Sequence, residues 1–364
     1  MIDRRTLAQL DWVLITVTLL IAATGVTMIH SATYPKGAEL QGLYLRQLSW
    51  LGVGVLAAAL LLLTDYRVVH RYGFLLYGIA LVLLILVPVL GKTVSGAKRW
   101  LALGPIRLQP SEFVKLAVVI ALARHFSDED RRGLLRLRDL GIPTVLILVP
   151  ALLVARQPDL GTALVIVLVG LVVILAAGLR MGTILALGVS LAAAAPVVWL
   201  FLKGYQKERV LTVIQGGDPL GAGYHGIQAK IAIGSGGLLG KGLLAGTQSQ
   251  LHFLPEQHTD FIFAVLAEEA GFAGSMWLLT LYAILVIQGI NIAFRSRDLS
   301  GTLLAAGVVG LLSLHIILNI AMTSGLLPIV GLPLPFMSYG GSALVVDLLA
   351  IGLLLNIRMR RFTF

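Results

Sequence analysis

The chain has no cysteine. That excludes disulfides, iron–sulfur ligation and thiol chemistry, and it leaves the redox compartment unspecified. Charge is scarce as well: 13% of residues are Asp, Glu, Lys or Arg, against about 25% in an ordinary soluble domain. Apolar side chain takes the place of charge, at 58% of 364 residues with a mean hydropathy of +0.93. A water-soluble globule of this length has too little interior to hide so much apolar surface, whereas lipid can cover it. Low-complexity linkers and internal repeats are also missing, so 1–364 reads as a single polytopic membrane domain. The net charge of +10 would suggest nucleic acid in a soluble protein. Here the basic residues sit in short segments between apolar runs, and membrane topology accounts for them without nucleic acid.

Apolar runs of about 17–25 residues can cross a hydrocarbon layer roughly 30 Å thick. Ten are present, near 11–31, 46–64, 73–91, 110–126, 141–156, 160–178, 182–202, 260–293, 301–324 and 340–358. The fold class is therefore all-α integral membrane, with about ten transmembrane helices and a long extracytoplasmic loop, about 203–259, between helices 7 and 8. The first run lacks a small-residue cleavage site and reads as a span rather than a cleaved signal. With the N-terminus inside, the cytoplasmic segments hold fifteen basic residues, all arginine: Arg4, Arg5, Arg67, Arg71, Arg124, Arg131, Arg132, Arg136, Arg138, Arg180, Arg295, Arg297, Arg358, Arg360 and Arg361. That excess satisfies the positive-inside rule.

Several cations run against this rule. Arg46, Lys98, Arg99, Arg107 and Arg156 lie near outer helix ends, and Lys115 lies within a span. Headgroup snorkelling explains any one of them. Six together point to an anion site at the outer leaflet.

Polar residues cluster in a few places. In 109–115, QPSEFVK, the proline suits a helical first turn. Glu112 and Lys115 then share a face at i, i+3, either as a neutralised structural pair or with Lys115 shared between Glu112 and a substrate phosphate. In 156–162, RQPDLGT, proline breaks the chain between two spans, which gives either a tight turn with a charged rim or part of a site. Residues 234–242, GSGGLLGKG, resemble a phosphate-binding loop but fail its pattern, because position 235 is Ser and Lys241 is followed by Gly. Loose packing against the bilayer is the expectation there. Residues 246–263 crowd polar groups before an apolar helix, and Asp260 falls at or beside its N-terminus. It is either a helix cap, favoured by the macrodipole, or a catalytic acid. His252 and His258 match no zinc spacing. Glu268, Glu269, His315, Asn319 and Asp347 lie within later spans and suggest a polar cavity reaching into the membrane.

The stretch GTQSQLHFLPEQHTDFIFAVLAEEAG (246–271) closely resembles the signature of the SEDS family (shape, elongation, division, sporulation). So do KRWLALGPIRLQPSEFVKLA (98–117), RQPDLGTAL (156–164), DPLGAGYHGIQAKIAIGSGGLLGKG (218–242) and PLPFMSYGGSAL (333–344), in order over nearly the whole chain. The form of the 246–263 motif and the short tails resemble the elongation member more than the division member. Gln257 and Asp347 depart from the usual pattern.

This resemblance implies a peptidoglycan glycosyltransferase in the bacterial cytoplasmic (inner) membrane, multi-pass, with an extracytoplasmic active site that polymerises lipid II during elongation and rod-shape maintenance. Its partners would be lipid II and the nascent glycan, a class B penicillin-binding protein acting as transpeptidase, and other elongation-complex membrane proteins. No cofactor is certain, though a divalent cation can assist. The family's essential acid maps onto Asp260, and further sensitive positions onto Lys98, Trp100, Arg107, Glu112, Lys115, Gln157 and Asp159. Arg99, Arg156, Glu256, His258 and Thr259 adjoin them as substrate-binding candidates. The residues agree with this chemistry. A pyrophosphate leaving group needs charge neutralisation by cations, and the acceptor hydroxyl needs one carboxylate base, whereas an inverting hydrolase needs two carboxylates. A flippase or transporter for lipid-linked precursors would use the intramembrane set instead, and a scaffold that only activates its partner would tolerate loss of Asp260.

Overall fold

The computed structural model describes residues 9–34, 42–94, 97–104, 106–128, 133–215, 223–251, 253–254 and 256–361. Arg4, Arg5, Arg131, Arg132, His252 and residues 218–222, considered above, lie outside them.

All ten apolar runs are helical. α1 (Trp12–Thr33) starts at Asp11, whose side chain accepts from the Leu14 amide at 3.1 Å. It is followed by α2 (Leu43–Leu63), a short α3 (Tyr66–Arg71) and α4 (Gly73–Leu90). α5 (Pro110–Asp128) begins at a proline, whose missing N–H costs nothing in a helical first turn. Next come α6 (Gly141–Arg156), α7 (Leu160–Ala176) and α8 (Met181–Phe201). Among the described residues, eight helices are long and apolar enough to cross a membrane. The other two of the expected ten are α7, apolar over 17 residues, and α5, which carries Glu112, Lys115 and Arg124.

Two segments expected as plain connections are folded. One carries an antiparallel three-stranded sheet of β1 (Lys92–Val94), β2 (Ala97–Leu103) and β3 (Ile106–Leu108). Trp100 pairs with Lys92, and Arg107 with Ala102. The long 203–259 segment contains α9 (Gly204–Gln215), α10 (Tyr224–Ser235) and the single turn α11 (Thr247–Gln250). It leads into α12 (Ile262–Phe294), followed by α13 (Leu299–Thr323) and α14 (Gly341–Met359).

The interior is built on α5, α12, α13 and α14, while α8 buries only Thr183. Large apolar side chains such as Leu56, Leu185 and Phe201 are exposed around the outside. Lipid is the solvent that makes this surface stable.

The glycine-rich 234–242 segment does not pack loosely against the bilayer. It locks onto a break in α12 at Gly271, whose φ is 66°. Lys241 and Gly242 amides donate to the Glu268 and Glu269 carbonyls at 3.0 Å, and Phe272 and Ala273 amides donate back to Gly237 and Leu238 carbonyls at 2.9 and 3.0 Å. Gly240 has φ 78°, and a Cβ there would lie 2.1 Å from the Glu269 carbonyl oxygen. Only glycine permits that approach.

The lock also absorbs the intramembrane acids. The fully buried Glu268 carboxylate accepts from Lys241 Nζ at 2.8 Å, Thr247 Oγ1 at 3.2 Å and the amides of Gln248 and Ser249 at 2.9 and 3.2 Å. Glu269 Oε1 accepts from Ser31 Oγ at 2.5 Å. These carboxylates fasten helices together. They do not line a polar cavity reaching into the membrane.

Candidate active site

A cavity of about 1620 Å³ opens among α2, the small sheet, α7, α9 and the segment that precedes α12. Nine of the thirteen proposed site residues line it: Arg99, Trp100, Arg107, Glu112, Asp159, Glu256, His258, Thr259 and Asp260.

The backbone of 256–260 is pinned from three sides. Asn319 Nδ2, on α13, donates to the Asp260 carbonyl at 3.0 Å and to the Leu332 carbonyl at 2.6 Å. Ser338 Oγ donates to the Thr259 carbonyl at 2.6 Å, and the Tyr339 amide donates to the His258 carbonyl at 2.9 Å. Gln257 is fully buried and donates from Nε2 to the Ala32 carbonyl at the end of α1 at 2.5 Å. Glu256 takes φ 46°, an unusual conformation for a non-glycine residue, held by this surrounding framework.

Every one of those bonds uses the backbone of the segment or Gln257. The Asp260 carboxylate itself has no hydrogen-bond partner among the described residues. It is not a helix cap either: α12 is preceded by Phe261 and has no side-chain cap. Burial, then the neighbouring charges of Glu256 and Asp159, push the Asp260 carboxyl up to about 7, against the smaller opposing pull of Arg209 and Arg99. A carboxylate poised near neutrality and facing a cavity is suited to general base catalysis.

Arg99 is tied to the 157–159 turn. Nε donates to the Gln157 carbonyl at 3.1 Å, Nη2 to the Pro158 carbonyl, and Nη1 lies 3.5 Å from Asp159 Oδ2. Asp159 also caps α7 through the Thr162 amide at 3.2 Å. The turn and the site are thus one structure. Gln157 is buried and supports it from behind, donating to the Leu84 carbonyl at 3.0 Å.

Four proposed residues do not line the cavity. Gln157 is one. Lys98 is exposed, with Nζ 3.4 Å from the Pro88 carbonyl. Arg156 is exposed at the end of α6. Lys115 is 1% exposed: Nζ donates to Glu112 Oε2 at 2.8 Å and meets His315 Nε2 at 2.9 Å. An ammonium has only hydrogens to offer, so this His315 nitrogen is the acceptor. Lys115 therefore holds Glu112, and in this arrangement it is not shared with a substrate phosphate. Of the six outward cations, Arg46, Arg99 and Arg107 reach the cavity.

Several lining residues escaped the sequence reading, and two of them bear directly on the site's charge. Arg209 and His225 come from α9 and α10, inside the segment taken as a loop. Tyr205, Gln206 and Arg209 all line the cavity, Arg209 lying four and three positions beyond the other two on one helix. That spacing was the available signal. His225 is held below the usual imidazole range by burial and then by Arg209, so it is neutral at pH 7.

Fold and cavity together define a class: a multi-pass membrane protein with a partly open, charge-lined cavity among its helices. Comparison with known proteins is specific. Residues 11–362 match the model of the FtsW/RodA/SpoVE cell cycle proteins. Peptidoglycan glycosyltransferase MrdB of Escherichia coli K12 is 45% identical over 338 residues, covering 92% of this chain and 91% of that protein. Stage V sporulation protein E of Bacillus subtilis is 37% identical, covering 95% of this chain and 96% of that one. A structure described as the structural coordination of polymerization and crosslinking by a peptidoglycan synthase complex superposes with a TM-score of 0.83 at 37% identity, covering 98% of this chain and 99% of that one. The rod shape determining protein RodA of Thermus thermophilus gives a TM-score of 0.73 at 32% identity, covering 98% of both chains. The chain belongs to the FtsW/RodA/SpoVE family, the SEDS proteins.

The Glu112–Lys115 contact yields a stability prediction. Lys115→Met strands a buried carboxylate and is expected to cost about 3–5 kcal/mol. Adding Glu112→Gln removes the stranded charge, and thermal unfolding in detergent should then recover most of that loss. A single variant as stable as the parent would contradict the pairing.

Proposed function

We propose that the chain is a peptidoglycan glycosyltransferase that polymerises lipid II during cell elongation, with Asp260 as its base. The observation that carries this reading is one unbonded carboxylate, poised near neutrality, in a cavity that also holds Arg46, Arg99, Arg107 and Arg209. The acceptor sugar hydroxyl gives its proton to the Asp260 carboxylate as its oxygen attacks the anomeric carbon of the second lipid-linked sugar. The bond from that carbon to the pyrophosphate oxygen breaks, and the lipid diphosphate leaves. The arginines neutralise charge gathering on the diphosphate, which is the main stabilisation such a leaving group needs. Their planar forks suit phosphate oxygens better than lysine would.

Lys115 acts one step away by fixing Glu112 at the cavity wall, and Gln157 by fixing the turn that carries Asp159. Among the described residues no three acidic or histidine side chains converge closely enough to hold a metal ion alone. A divalent cation, where one assists, would rest on one or two of Asp260, Glu256 and Asp159 together with substrate phosphate and would add charge neutralisation.

The working site lies at the outer face of the cytoplasmic membrane, which is supported by the arginine-rich opposite face. A class B penicillin-binding protein then crosslinks the glycan, in company with other elongation-complex membrane proteins. The transporter reading keeps only Asp347 of the four intramembrane residues it rested on, because Glu268, Glu269 and His315 are engaged in structural bonds.

Purified protein with purified lipid II should make glycan polymer, and its rate tests the base directly. Asp260 must be deprotonated to act, so kcat/KM should rise with pH through about 7 and level off above, with about tenfold between pH 6 and pH 8. A flat profile over that range would remove Asp260 from the base role. Sidedness is tested separately, using the absence of cysteine in the parent. A single cysteine at exposed Arg156 should react with an impermeant maleimide in intact cells, and labelling only after lysis would place the site on the wrong face.

A further inference from the structure

A second, smaller cavity of about 480 Å³ lies at the opposite end of the molecule. Its walls are the turn that enters α6 and the turn that enters α8, joined by a single parallel bridge between Leu135 and Leu179. The catalytic cavity touches the other ends of these helices, at Ala155 of α6 and Val198 of α8. Because the catalytic cavity also reaches back to Leu148, midway along α6, about ten residues of α6 and about eighteen of α8, rising 1.5 Å each, separate the two.

Three guanidinium groups and one carboxylate line this pocket: Arg136, Arg138, Arg180 and Asp139. Asp139 is largely engaged by backbone, its Oδ2 accepting from the Arg136 amide at 2.8 Å. Its contact with Arg138 is 3.9 Å long, beyond hydrogen-bond reach. Arg136 and Arg180 have no acidic partner among the described residues. The pocket therefore carries surplus positive charge in a concave site.

Its surroundings are apolar. Leu134, Leu137, Ile142, Met181 and Leu185 flank it, and all five are more than half exposed. A pocket serving a soluble anion has no use for such a rim. A phospholipid does, because its headgroup and acyl chains need both chemistries within a few ångströms. Basic pockets between transmembrane helices on the cytoplasmic side suit anionic headgroups.

We propose that the Arg136–Arg138–Arg180 pocket binds the phosphate of an anionic phospholipid in the leaflet opposite the catalytic cavity. The bound headgroup bridges the turns before α6 and α8, at the end of α8 that holds Thr183, the one buried residue of that helix. There Thr183 Oγ1 donates to the Leu135 carbonyl at 3.1 Å and the Arg180 amide donates to the same carbonyl at 3.1 Å. The lipid would therefore reinforce a joint that the protein secures with few bonds of its own.

The test compares the full-length protein in nanodiscs of phosphatidylcholine alone and with phosphatidylglycerol, reading retained lipid by native mass spectrometry. Parent protein should retain phosphatidylglycerol in preference to phosphatidylcholine. Arg136→Gln or Arg180→Gln should weaken retention about fivefold, and the pair about twentyfold, with melting in pure phosphatidylcholine unchanged. Asp139→Asn, which keeps an acceptor for the Arg136 amide, should strengthen retention, and this gain cannot come from misfolding. Equal retention by parent and double variant would overturn the proposal. So would stabilisation by inorganic phosphate in phosphatidylcholine nanodiscs without any by phosphatidylglycerol, which would assign the pocket to a soluble anion.

Discussion

The whole site depends on the Asn319 amide nitrogen gripping the carbonyl of Asp260. A segment rich in polar groups beside lipid must satisfy its backbone, since an unpaired buried carbonyl costs as much as a lost hydrogen bond. Asn319, Ser338 and the Tyr339 amide do this for residues 258–260 from α13 and from the segment before α14. Because neighbours take care of the backbone, the Asp260 side chain is spared from capping α12. It faces the cavity without a bond, its ionisation opposed by burial and by Glu256 and Asp159.

Glu268 shows the alternative fate of a carboxylate eight residues further on. It accepts four bonds and is wholly enclosed, so it cannot exchange a proton with anything in the cavity. Two acids on the same stretch of chain thus take opposite roles, set by their surroundings. The same division separates Lys115, enclosed between Glu112 and His315, from the arginines that reach open space. Structural ties sit inside the helix bundle, and the groups free to act line one chamber.

Much of this was legible in the chain. Bilayer thickness forces long apolar runs, and each of the ten became a helix within a few residues of its expected place. Motif resemblance located nine of the lining residues, because those motifs are the cavity wall. Depth was illegible: the i, i+3 spacing of Glu112 and Lys115 shows that they pair, but not that His315, two hundred residues away, closes over the ammonium. The sheet was missed because its strands are only three and seven residues long. Arg209 was missed because a stretch of low hydropathy read as loop when it forms amphipathic helix. The glycine-rich segment was misjudged because its partner, the break at Gly271, exists only in three dimensions.

The central claim is that Asp260 works as a base rather than as a structural residue, and Asp260→Asn isolates the difference. The substitution preserves size, and the backbone bond from Asn319 is untouched, so expression and melting temperature should match the parent. Polymerisation of purified lipid II should fall by at least about a hundredfold, the scale of a lost general base. Near-normal glycan synthesis by this variant would contradict the account.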